Sequence, residues 1–267
     1  MKKLLAAALV ALLVSHPAQG AAQTAFRSTQ SANLPTAAML SGGNWLFEIS
    51  HRFDNPIESG IDTFWGFDGG VTYRLGLTFA PHDRLMLGAL RSGAQDNVEL
   101  NAKFRGITVD SEAFPIAVSA QGGVAWNTEV QVLEGATDNE MQAYVQVLAN
   151  ALIGGRLAVG VVPTFLRNPR LRDLEAESAF VLGLQGQLYT DGPFSFFGEW
   201  IVSEERAQQE NDTGSFGVEI RTRGHFFKIL VTNNSLVNPT QVLGGSFSPV
   251  STNNLRFGFN LTRLLPF

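Results

Sequence analysis

The chain has 267 residues, 19 Lys and Arg against 24 Asp and Glu, a formal net charge of −5 and no cysteine. An acidic chain without a basic run lacks the electrostatic footprint of a nucleic-acid partner, and the missing cysteines exclude a disulfide scaffold and any thiolate-bound metal. The length suits one large all-β unit or two small domains, and because composition does not shift along the chain, one unit is expected.

Met1, Lys2 and Lys3 precede an apolar run from Leu4 to Val14, then Ser15, His16, Pro17 and the small residues Ala18 to Ala22. This is the three-part pattern of a secretory signal peptide over residues 1–22, with cleavage after Gly20 or Ala22. Its apolar core is eleven residues, short of the ~20 that a spanning helix needs. Removing Lys2 and Lys3 leaves 17 basic against 24 acidic residues, a net charge of −7. Export leads to a compartment where disulfides form, yet this chain has none to form, so its fold must hold without them. A closed barrel can, because it satisfies every strand edge internally.

Residues 23–43 have no fixed place in the pattern: a periplasmic tail, an extra strand and a segment tucked into a lumen all fit. From 44 to 267 the period is two. In Asn97–Arg105, Val98, Leu100, Ala102 and Phe104 oppose Asn97, Glu99, Asn101, Lys103 and Arg105. The same sorting occurs in 71–79, 216–221 and 255–261, and less clearly in 45–53, 85–91, 116–127, 141–149, 156–166, 179–189, 194–202 and 226–232. Turn residues such as Pro81-His82-Asp83-Arg84, Gly154-Gly155, Thr190-Asp191-Gly192-Pro193 and Arg223-Gly224 separate several runs. Short connections alternate with long ones. The pattern predicts an all-β fold, a closed antiparallel transmembrane β-barrel of about 12 strands (range 10–14), with both termini on the periplasmic side. The short connection at 93–95 and the longer one at 106–115 fit least well, hence the range.

A soluble sandwich also alternates. Three features favour the membrane barrel. The final strand carries Phe259, Leu261, Leu265 and Phe267 in phase, a pattern that barrel-assembly machinery would read. Aromatics such as Trp45, Phe53, Phe79, Phe104, Trp126, Phe165 and Phe180 sit near strand ends, as interfacial girdles do. The faces opposite the apolar ones hold Glu48, Arg52, Arg74, Glu99, Lys103, Arg105, Glu199, Glu219, Arg221, Lys228 and Arg256, which would line a lumen.

The segment 49–92, ISHRFDNPIESGIDTFWGFDGGVTYRLGLTFAPHDRLMLGALRS, resembles the opening of an uncharacterised bacterial β-barrel family known as a domain of unknown function, with its HRF element, FG-D segment, R-G strand, D-L turn and RS ending. GVEIRTRGHFFKILVTNN and LRFGFNLTRL are similar to its closing hairpin. The likeness covers about a third of the chain. It implies a barrel and no chemistry. Asp54 stands where the family often has glycine, which bears on the local turn.

No enzymatic or metal chemistry is expected, and no cofactor. His51 is expected near the external end, His82 and His225 near the periplasmic end, about 25 Å from it, and the latter two are ~14 Å apart at ~4.8 Å per strand. A lipid hydrolase would need a serine beside a histidine, but Ser50 and His51, as strand neighbours, face opposite sides. The loop 54–70 offers Phe64, Trp65 and Phe67 as a constriction folded into the pore, or simply as a surface loop packing its own aromatics. Arg167, Arg170 and Arg172 offer either lipopolysaccharide-phosphate contacts or a solvated mixed-charge loop. The inward set counts seven basic and four acidic residues, which suggests a narrow outer-membrane pore for small solutes with mild anion preference; the alternative is a non-conducting binding or scaffold barrel. Outer-membrane lipids and the assembly machinery are the expected partners.

Overall fold

The computed structural model describes residues 25–111, 114–129, 140–169, 177–203 and 211–265; the expected signal peptide and Phe267 lie outside them. Twelve strands run in chain order: β1 (Trp45–Phe53), β2 (Val71–His82), β3 (Leu85–Ser92), β4 (Asn97–Val109), β5 (Ile116–Asn127), β6 (Met141–Ile153), β7 (Leu157–Arg167), β8 (Ser178–Tyr189), β9 (Phe194–Ser203), β10 (Thr213–Thr222), β11 (His225–Thr232) and β12 (Arg256–Leu265). Each pairs antiparallel with its sequence neighbours, and β1 closes on β12 from Trp45 opposite Leu265 to Arg52 opposite Gly258. Closure leaves no free edge.

The count is twelve because β4 is longer than its alternation suggests. It continues past Arg105 through a register shift to Val109, which pairs with Ile116, so the connection to β5 is 110–115. At the other end of the barrel, a 3-10 turn over Ala94–Asp96 joins β3 to β4. The remaining short connections, and the six-residue 110–115, gather at the turn end with the start of β1 and the end of β12, while the long connections gather at the loop end, where only the β3–β4 turn is short.

The side chains are sorted inversely to a soluble barrel. On β4, outward Leu100 is 48% exposed while inward Glu99 is fully buried. On β8, outward Leu184 is 42% exposed and inward Gln185 is 6%. Such apolar exposure on every side suits a hydrocarbon surround, where strands alternate apolar-out and polar-in. Aromatics flank the band, with Trp45 stacked on Phe79 at 4.5 Å near the turn end.

Two stretches outside the wall fill the interior. Residues 25–40 enter from the turn end, reverse at 31–34 with Ser31 N donating to Leu34 O at 2.8 Å, and return to the same end. The β11–β12 connection enters from the loop end and carries the short helix α1 (Pro239–Leu243), all of it buried. Asn238 precedes it and Pro239 occupies its first position, where a missing N–H costs nothing.

Val147 lies outward at the middle of β6 and is 45% exposed. Val147→Arg is expected to destabilise the barrel by about 2 to 4 kcal/mol in lipid, measured as a lower urea midpoint. Unchanged stability would mean this face does not contact hydrocarbon.

Candidate functional site

The inward residues and the two inserts form one connected polar interior. Among the described residues, eight ionisable side chains are buried in it: Arg52, Arg74, Lys103 and Lys228, and Glu48, Glu99, Glu199 and Glu219. Burying an unpaired charge is expensive, and each has a specific partner. Lys103 Nζ donates to the carbonyls of Thr29 and Thr36 at 3.0 Å and of Ala38 at 3.3 Å, so it clasps both legs of the N-terminal insert. Lys228 Nζ pairs with Glu219 at 3.0 Å and donates to Ser28 Oγ at 2.8 Å and Gln30 O at 3.0 Å. Glu199 receives Asn33 N at 2.9 Å and Leu34 N at 3.1 Å, holding the tip. Arg52 reaches Asn33 Oδ1 at 2.9 Å and Asn260 Oδ1 at 2.8 Å.

The loop-end insert is held the same way. Thr240 donates its backbone N–H and hydroxyl to Glu99 Oε2, both at 3.2 Å, and Tyr144 OH donates to Glu99 Oε1 at 2.8 Å. Gln241 Nε2 donates to Ala94 O at 2.8 Å. Arg74 donates to Val237 O and forms an ion pair with Glu48. Glu48 in turn accepts from Gln30 of the other insert at 2.6 Å. The Arg74–Glu48 pair thus joins both inserts to the wall.

The inserts also share an apolar cluster with the wall. Leu34 and Ala37 from one side and Val242 and Leu243 from the other form a buried apolar cluster with Leu148, Val162, Leu166, Val181 and Ile201. Gly183 makes room for the tip, since a Cβ there would stand 2.7 Å from Leu34 Cδ2.

Three of the expected lumen residues lie at the rims. Arg105 is half-buried at the turn end, Arg221 is exposed there, and Arg256 is partly buried at the loop end. Among the described residues the buried wall is therefore balanced, four basic to four acidic side chains, without the basic excess that the seven-to-four count suggests. Its charges sit on β1, β2, β4 and β9 to β11. The inward faces of β5 to β8 instead present neutral groups, among them Gln121, Gln142, Gln146, Asn150, Thr164, Gln185 and Gln187. These neutral groups escape a count of charges, although their alternation marks them equally.

The constriction expected from Phe64, Trp65 and Phe67 is corrected. These side chains are about half exposed and extend the outer aromatic surface: Phe67 stacks on Phe257 at 4.9 Å and meets Phe53 edge-on at 5.0 Å. Phe53 and Phe257 face outward, so the loop continues the band rather than the lumen. Ser50 is buried inward and donates to Glu48 at 2.6 Å, while His51 faces outward with its ring 4.6 Å from Phe259; they cannot act as a nucleophile–base pair. Phe259, Leu261 and Leu265 lie on β12, whereas Arg170 and Arg172 fall outside the described residues.

A family model described as "Membrane bound beta barrel domain (DUF5777)" matches residues 26–265. The chain belongs to this family. The match begins within the N-terminal insert, so the family domain includes the segment that fills the lumen as well as the wall. No curated protein matches. Among solved structures, the KdgM porin superposes with a TM-score of 0.50 at 8% identity, covering 82% of this chain and 98% of that one. The NanC porin gives 0.48 at 9%, covering 84% and 99%. The COG4313 outer membrane channel from Pseudomonas putida F1 gives 0.48 at 12%, covering 85% and 97%. At such identities the likeness concerns the fold alone. The protein is a membrane-bound β-barrel.

Glu199→Ala would leave the Asn33 and Leu34 amides buried without their acceptor, a loss of about 1 to 3 kcal/mol. Amide hydrogen exchange at residues 31–36 is expected to accelerate while the β-strand amides stay protected. Equal protection in both proteins would refute the anchoring role of Glu199.

Proposed function

We propose that this protein is an outer-membrane passage for small solutes that its own two inserts hold closed. On this reading residues 1–22 direct export and are removed, the turn end faces the periplasm and the loop end the exterior. The observation that carries it is the chemistry of the wall. A barrel that stays filled can use apolar side chains, as small barrels do. This wall presents ionisable groups and amides to segments that enter separately from its two ends, groups that water would satisfy if a segment withdrew.

The buried cluster of Leu34, Val242 and Leu243 with the wall supplies the closure, because an apolar constriction excludes water and ions. The same cluster favours a second reading, a permanently filled scaffold barrel, since separating it exposes apolar surface. In the gated reading, the anion preference expected from the sequence resides in the rim arginines, because the wall charge is balanced.

Deleting residues 25–40 separates the two readings. The shortened barrel, checked by heat-modifiable migration, should open discrete channels in planar bilayers while the intact protein stays closed or opens rarely. A folded deletion variant that never conducts would contradict the passage. In the conducting variant, Arg105→Glu should move the reversal potential toward cation selectivity; an unchanged potential would remove the rim from the account.

A further inference from the structure

A cavity of about 830 Å³ at the turn end remains outside the closure described above. It lies between the two legs of the N-terminal insert, the β8–β9 turn, the turn-end residues of β10 to β12 and the start of β1. Three arginines line it: Arg27 from the insert, Arg221 at the end of β10 and Arg223 in the following turn. All three are exposed. The one carboxylate in the lining, Asp191, is engaged by Arg156 at 2.6 Å, so the cavity is locally positive. Its deeper side is apolar, with Leu40, Phe226 and Leu264.

Arg27 is held in place. Its guanidinium carbon lies 4.1 Å from the centre of the Tyr189 ring, a cation–π contact. Its backbone N–H donates to Tyr189 OH at 3.0 Å, and that hydroxyl donates to Ala25 O at 3.2 Å. Cations from the insert and from the wall therefore line the same cavity as the apolar side chains of Leu40, Phe226 and Leu264.

We propose that this vestibule binds a small amphiphilic anion, a phosphate or carboxylate head on a short apolar tail. Arginine forks match such heads with paired hydrogen bonds, and Leu40, Phe226 and Leu264 receive the tail. Because Arg27 belongs to the insert while Arg221 and Arg223 belong to the wall, a bound head relieves the repulsion between them and ties insert to barrel. A ligand that prefers the closed arrangement shifts the population toward it. That consequence rests on the gated-passage reading; the binding does not.

Calorimetric titration of the folded full chain in zwitterionic detergent tests the site, with hexyl phosphate as the probe, inorganic phosphate for the head alone and hexanol for the tail alone. Hexyl phosphate should bind saturably and more tightly than either part. Arg27→Ala and Arg221→Ala should each weaken it about tenfold or more, the loss expected for a charge-assisted hydrogen bond. Arg263→Ala, at the same end but on the outer face, should not. Arg221→Lys keeps the charge without the fork and should fall between, which guards against misfolding of the alanine variant. Repeating the titration in phosphatidylcholine vesicles with and without phosphatidylglycerol identifies the source: competition by phosphatidylglycerol makes the ligand a lipid headgroup, and equal binding makes it a free anion. Wild-type affinity in the Arg27 and Arg221 variants, or an equal loss in Arg263→Ala, overturns the site. Neither result depends on conductance, so this inference and the passage reading fail separately.

Discussion

Twelve strands enclose more space than their own inward side chains fill, and the rest of the structure answers that constraint. An eight-stranded barrel can close its interior with side chains, whereas wider barrels enclose a channel or a plug. Here the inward faces are polar, so the space cannot be left dry and apolar, and it is not left to solvent. Two segments of the chain supply the missing partners. The Glu48–Arg74 pair is the junction, since Gln30 of one insert bonds the carboxylate while the guanidinium bonds Val237 O of the other.

The interior is consequently two-sided. Charged groups on β1, β2, β4 and β9 to β11 hold the inserts by direct bonds to their backbone, as Lys103 and Glu199 show. The amides of β5 to β8 make a softer wall, with single contacts such as Gln185 Nε2 to Pro35 O at 3.0 Å. Backbone recognition tolerates sequence change in an insert while fixing its path. It also leaves a wall that remains polar without the insert.

Much of the barrel was legible because a strand with a hydrocarbon face and a polar face must alternate. Leu100 beside Glu99, or Val147 beside Gln146, can be sorted without coordinates. The inserts were less legible because their burial depends on partners far away in sequence. The stretch from Phe26 to Leu40 carries a single charge, Arg27, and many small residues, which is a composition for close quarters, but nothing in it states where those quarters are. The lumen position was one of three that the pattern allowed. Phe64, Trp65 and Phe67 left a constriction and a surface loop open for a related reason: aromatics suit an interface as well as a pore. The β11–β12 loop that does enter carries Asn238-Pro239 as a helix start and Leu236, Val237, Val242 and Leu243 in a stretch without charge. Those were the readable signs. Charge counting likewise treated rim and wall alike, because alternation gives a residue's face and not its depth.

The central claim, that the N-terminal segment occupies the lumen, is tested most directly at Ser31. Its side chain is fully buried and its hydroxyl has no hydrogen-bond partner, so Ser31→Cys is a mild change, and the chain has no other cysteine. The folded barrel in lipid, exposed to a membrane-impermeant maleimide, should leave this thiol unlabelled until denaturant unfolds it. Labelling of the folded protein at the rate of an exposed cysteine would contradict the account.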